Sequence, residues 1–70
     1  MIEIGQRSEF KMLYDEAVMY CFLLGDGWRL PTKEVYYAYR KFNDCWHLDD
    51  PLKDEGKSYQ VIPVRDLKDD

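Results

Sequence analysis

The spacing of apolar residues changes its period along the chain. Ile2 and Ile4 alternate with Glu3, a two-residue period that suits a short strand. Gly5 breaks it, and residues 6–8 read as a turn. From about Glu9 the spacing becomes three and four. Phe10, Leu13, Tyr14, Ala17, Val18, Cys21 and Phe22 fall on one stripe of a helix, with Asp15 and Glu16 on the other face. Its start stays open: Asp15 fits a first turn, and Ser8 fits a cap with Lys11 at the third position. Gly25 and Gly27 end it, Gly25 serving as a left-handed C-terminal residue.

A second helix is predicted after Gly27-Trp28-Arg29-Leu30-Pro31-Thr32. Pro31 forces Leu30 into an extended conformation. Thr32 is a good N-cap, and Glu34 lies in the first turn, where the helix dipole favours an acid. The helix is expected to run to Phe42 or Asn43. Val35, Ala38, Tyr39 and Phe42 make its stripe, Tyr36 widens it, and Arg40 and Lys41 suit its C-terminal end. Cys45 to Leu48 reads as a short strand and 49–57 as an exposed polar loop. Tyr59 to Val64 is the strongest strand signal; Pro63 cannot donate a ladder bond, which predicts an edge position or a bulge. Residues 66–70 form an acidic tail expected to fray. The prediction is one α+β domain, 1–70, with two packed helices against a small antiparallel sheet from residues near 1–4, 45–48 and 59–65.

Composition sharpens this picture. Seventy residues give a marginal core, offset by an aromatic content of 16%. The net charge is −4, and the acid is concentrated in residues 49–70. Such a chain is poorly suited to grasping nucleic-acid phosphates and better suited to a basic protein surface. No run approaches a membrane span, and no basic-then-apolar signal segment opens the chain. Two cysteines, Cys21 and Cys45, are fewer than a secreted mini-domain carries. Reduced thiols and a cytoplasmic setting are expected, with a Cys21–Cys45 bond left open.

The segment from Tyr14 to Val35 also resembles the centre of the Lcl C-terminal-domain family, which is C-type-lectin-like and includes short phage-encoded proteins. Tyr14, Ala17, Tyr20 and Cys21 match that family's first helix, and Gly27 to Thr32 match its turn. Cys45-Trp46 sits where the family has an aromatic pair, and Tyr59 to Arg65 is similar to its closing strand. Val35 stands where the family usually has a Glu, and the late loops are shorter. The resemblance implies a minimal C-type-lectin-like fold without the loop region that holds calcium and sugar. It also implies a phage accessory protein acting in the host cytoplasm.

Candidate chemistry is sparse. His47 is the sole histidine, and neither Cys21 nor Cys45 sits at a nucleophile elbow or a helix N-terminus, so no catalytic set is expected. Strand spacing would put Cys45, His47 and Asp49 on one face, but the Cys and His clusters of structural zinc sites are missing. Asp49, Asp50, Asp54 and Glu55 lack calcium-loop spacing and read as a solvated loop. No metal or cofactor is therefore expected. Gly27, Trp28, Arg29, Leu30, Pro31 and Thr32 are read as scaffold: Trp28 fills the space between helices and sheet, and Arg29 bonds helix-end carbonyls or Asp26. Tyr37 lies off the helix stripe and should face out, where tyrosines make good interface anchors.

The expected function is a non-catalytic module that binds and inhibits a host protein through Tyr37, Trp46, Asp49, Asp50, Asp54 and Glu55. The alternatives are a lectin-like ligand-binding domain and a minimal metal-dependent enzyme. A homodimer is a further expectation, since a chain this small can complete its core by pairing.

Overall fold

The computed structural model describes residues 1–67. The expected fraying at 68–70 lies outside them. Strand β1 covers Ile2–Ile4, helix α1 Tyr14–Leu24, helix α2 Lys33–Ala38, and strand β2 Val64–Asp66; a 3-10 turn spans Arg40–Phe42. β1 and β2 pair antiparallel, with Ile2 opposite Asp66, Glu3 opposite Arg65 and Ile4 opposite Val64. Asp66 therefore belongs to the sheet, and Leu67 N–H donates to Met1 O at 3.0 Å.

The organising element is the extended chain from 59 to 66. On one side it is followed by the N-terminal segment: Gly5 N–H donates to Pro63 O at 2.8 Å and Ser8 N–H to Val61 O at 2.7 Å. Met12 and Tyr59 exchange bonds of 2.8 and 3.0 Å. On its other side Arg29 and Val64 exchange two bonds of 2.8 Å, and Trp46 N–H donates to Gln60 O at 3.0 Å. The Pro63 segment is thus flanked on both sides and is not an edge. The regular ladder starts only after Pro63, whose missing N–H interrupts it. The expected 45–48 strand reduces to one parallel bridge between Cys45 and Gln60.

The pairing of Met12 with Tyr59 also fixes where α1 starts. Met12 is held extended, so the helix cannot begin near Glu9, and Leu13 becomes the N-cap. Leu13 offers no side-chain acceptor; instead Glu16 Oε1 accepts the Leu13 N–H at 2.9 Å. Phe10 and Leu13 consequently drop out of the helical stripe, and Phe10 is exposed. At the other end Gly25, Asp26 and Gly27 all take positive φ (70°, 54° and 81°), reversing the chain within three residues. Thr32 caps α2 as expected, Oγ1 accepting the Val35 N–H at 3.4 Å. α2 stops at Ala38, earlier than predicted, because Tyr39 is extended (φ −130°, ψ 127°). Of the expected stripe only Phe42 is fully buried; Val35 is half-buried, and Ala38 and Tyr39 are exposed.

Alternation along 59–66 divides the core. Val61 packs with Ala17, Cys21, Leu30 and Trp46, whereas Ile62 and Val64 pack with Phe42 and Cys45. α1 feeds the first cluster, and Val35 and Tyr36 of α2 lean on the second. The two helices do not pack on each other; they cover different sides of the same extended segment. Cys21 and Cys45 are free and buried, one in each cluster. The α+β class and the antiparallel pairing of the two chain ends stand as expected. Among the described residues no helix is long and apolar enough to cross a membrane.

Candidate functional site

α2 and the turn after Phe42 bring several polar and aromatic groups into one open cleft of about 310 Å³. It is lined by Tyr36 and Tyr37 of α2, by Asp44 and Cys45 of the turn, and by His47, Asp50, Pro51, Leu52 and Tyr59. Tyr37 is 76% exposed, as its position off the stripe predicted. Its ring meets Tyr36 edge-on, with centroids 5.2 Å apart. A second opening of about 380 Å³ lies on the side of Tyr39, Arg40 and Asn43, so Tyr37 projects between two hollows.

The turn that carries Asp44 is shaped by backbone bonds and by a distant arginine. Asp44 takes φ 64°, a conformation that Asp tolerates better than most residues. Cys45 N–H donates to Phe42 O at 2.9 Å. Arg7 spans the turn: Nη2 donates to Lys41 O at 2.7 Å and to Asn43 O at 3.2 Å, while Nη1 donates to Gln60 Oε1 at 2.8 Å. This tether between residues far apart in sequence had no local signal.

His47, the sole histidine, is buried. Its ring packs against Tyr36 with centroids 4.5 Å apart. Nε2 stands 3.7 Å from Asp50 Oδ2, beyond hydrogen-bond range, and Nδ1 has no partner. Asp50 is itself buried: Oδ1 accepts the Leu52 N–H at 2.9 Å and shapes the start of the polar loop. Asp50 therefore serves the loop's internal structure rather than presenting a charge outward. Asp49, Asp54 and Glu55 are exposed but lie outside the cleft lining.

Trp46 is the clearest correction. It was expected on the binding surface and is 0% exposed. Its indole N–H donates to Met12 O at 2.7 Å, and Tyr14 and Tyr59 meet it edge-on at 5.4 and 4.9 Å. The alternating strand expected for 45–48 fails here, since Cys45, Trp46 and His47 are all buried in succession. Cys45, His47 and Asp49 do not gather as ligands: among the described residues no three of His, Cys, Asp or Glu could share a metal ion.

Burial governs the titrating groups in and around the site. Burial pushes the Cys21 thiol up to about 11. Burial also raises Cys45, and Asp44 adds to this while Arg7 opposes it. Both thiols stay protonated near neutrality, and the thiol is a weak nucleophile. Tyr36 is raised by burial first and then by Asp50, so its hydroxyl remains a donor. Tyr14 is raised by burial and then by Asp49, and its hydroxyl donates to Leu48 O at 2.8 Å.

The hexapeptide meets partners other than those expected of it, and Trp28 does not fill a space between two packed helices and the sheet. Arg29 Nη2 reaches Asp66 at 3.1 Å rather than Asp26, and Nη1 bonds Leu30 O at 3.3 Å. Trp28 is half-buried under the Arg65 guanidinium, 4.7 Å from the ring centre. No protein-family description matches the chain, and no curated protein and no solved structure is significantly similar to it.

Proposed function

We propose that this chain is a non-catalytic protein-binding module whose partner presents a basic surface to the α2 face. The carrying observation is Tyr37: an exposed ring held between two hollows, one of them lined by Tyr36, Tyr59 and the exposed carboxylate of Asp44. Aromatic walls with a carboxylate suit a lysine or arginine side chain, and a rigid exposed tyrosine is a common interface anchor. Asp49, Asp54 and Glu55 supply the acidic surroundings that steer such a partner. The buried, protonated thiols favour binding over catalysis. The resemblance of Tyr14 to Val35 to the Lcl C-terminal-domain family supplies the setting: a phage accessory factor that inhibits a host protein in the host cytoplasm.

The test is affinity capture from bacterial lysate with the immobilised chain, followed by mass spectrometry at low and high salt. One protein should be retained, with retention weakened by salt and reduced at least tenfold by Tyr37→Ala, an anchor-sized loss. Reversal of Asp49 and Asp54 to Lys should lower retention mainly at low salt. Recovery of no specific protein, or equal recovery with all variants, overturns the proposal.

A further inference from the structure

The exposed acid of the Tyr37 cleft is held from a distance. Asp44 sits in the turn that follows Phe42, and its φ of 64° is a conformation most residues resist. The turn satisfies only part of its own backbone. Arg40 O accepts the Asn43 N–H at 3.0 Å, and Phe42 O accepts the Cys45 N–H at 2.9 Å. The alternate carbonyls, Lys41 O and Asn43 O, accept from Arg7 Nη2 at 2.7 and 3.2 Å, across 34 and 36 residues of sequence. The planar guanidinium does this with one nitrogen and has a second for Gln60 Oε1 at 2.8 Å.

Gln60 is itself fixed. Its O accepts the Trp46 N–H at 3.0 Å, its side-chain Nε2 donates to Ser8 O at 3.0 Å, and its backbone bridges Cys45. Asp44 therefore stands between two anchored neighbours. Asn43 has its carbonyl held by Arg7, and Cys45 is bridged to the residue whose side chain Arg7 also holds. Arg7 itself lies outside the cleft lining.

We infer that Arg7 is the positioning residue of the cleft: its guanidinium fixes the turn so that the Asp44 carboxylate meets a cation beside Tyr36 and Tyr37. This rests on the proposed binding of a basic partner there. The sign of the effect separates it from plain electrostatics. Arg7 is close enough for its charge to count: burial raises the Cys45 thiol, and Arg7 opposes that rise. Through charge alone Arg7 repels a basic ligand, so its removal strengthens binding. Through position, its removal frees the turn and weakens binding. Position outweighs charge, because Arg7 is exposed and salt and solvent screen it, whereas three hydrogen bonds hold the turn.

A short, end-blocked oligolysine peptide is the probe, titrated at fixed pH and low salt. The NMR signal of the His47 ring reports occupancy, since His47 is the sole histidine and lines the cleft. The wild-type signal should shift and saturate. Arg7→Met should weaken binding about two- to fivefold, the size of an exposed carboxylate–ammonium pair. Arg7→Lys keeps the charge, loses the fork and should weaken binding as much; this reading stands on its own where Arg7→Met unfolds. Neither change should weaken binding further in an Asp44→Asn background, which a general loss of structure would do. A wild-type signal that oligolysine leaves unmoved overturns the basic-partner reading and this inference with it. Wild-type binding that either Arg7 variant leaves unchanged or strengthens overturns this inference alone, as does a weakening of equal size with and without Asp44.

Discussion

Replacing Trp46 with Phe separates a core role for this ring from a surface role. Trp46 is fully buried, and its indole N–H reaches Met12 O at 2.7 Å. Met12 O also accepts from Tyr59 N–H at 3.0 Å, so losing the indole does not leave that carbonyl orphaned. The hydrogen-bond cost is therefore about 1 kcal/mol rather than the full desolvation penalty. Phe lacks roughly three of the indole's heavy atoms, at about 0.8 kcal/mol for each buried carbon group, so packing adds about 2 kcal/mol. Weakened edge contacts with Tyr14 and Tyr59 bring the total to about 3–4 kcal/mol. A domain of this size has a total stability of roughly 4–10 kcal/mol, so the variant loses a large share of it.

Urea unfolding followed by far-UV CD measures this loss without relying on the deleted fluorophore. Protein concentration must be held fixed, because self-association would couple stability to it. The melting temperature should fall by at least about 12 °C, at roughly 4–8 °C per kcal/mol for a small domain. A loss below about 1 kcal/mol would refute the buried assignment and return Trp46 to the surface, where substitutions cost within about 0.5 kcal/mol.

Removing the Arg7 tether by Arg7→Met should cost about 1–2 kcal/mol in urea unfolding, despite the residue's exposure. It deletes bonds to Gln60, Lys41 and Asn43 together. Gly5→Ala should destabilise by about 1–3 kcal/mol, because a Cβ there would stand 3.0 Å from Pro63 Cγ and 3.3 Å from Trp28 Cζ3. The thermal midpoint reports it. The Cys21 thiol is raised by burial, so the folded chain keeps that proton longer than the unfolded chain does. Its contribution is constant below about 9 and is lost as pH rises toward about 11. Urea midpoints across that range should fall with a slope that Cys21→Ala reduces.

Signals confined to neighbouring residues survived into the structure, and signals that depend on distant pairing did not. The Thr32 cap, the stop at Gly25 and the outward Tyr37 each follow from chemistry within four residues. The start of α1 does not: Phe10 and Leu13 keep the helical period, yet the exchange of bonds between Met12 and Tyr59 holds that stretch extended. The same period hid the outer face of α1. Val18 and Phe22 sit one turn apart and read as core, whereas Ala17 and Cys21 take the core and leave Phe22 outside. At 45–47 the error is one of period. Alternation assumes a sheet with one wet face, and here three successive residues are enclosed by chain on every side. The cleft was half legible. Tyr37 was visible from its helix position, but the burial of His47 against the Tyr36 ring and of Asp50 bonded to the Leu52 N–H was not.

The hexapeptide from Gly27 to Thr32 is the junction of the fold. Gly27 reverses the path after α1 with φ 81°. Two residues later the Arg29 backbone joins β2 through Val64, in both directions at 2.8 Å. Leu30 then enters the first core cluster, and Pro31 O accepts Leu48 N–H at 2.9 Å, fixing the segment that holds Trp46 and His47. Thr32 starts α2. Six residues thus tie α1, β2, the 45–48 segment and α2 to one another. The side chains are spent in the same way. Arg29 faces Asp66 with 34% and 72% exposure, a pair worth about 0–1 kcal/mol, so its value lies in orienting the junction rather than in stability. Trp28 is occupied by Arg65 and by Gly5. A motif committed this fully to the scaffold has little left with which to recognise a partner. The surface we propose for recognition, the Tyr37 cleft, is one the junction leaves uncovered.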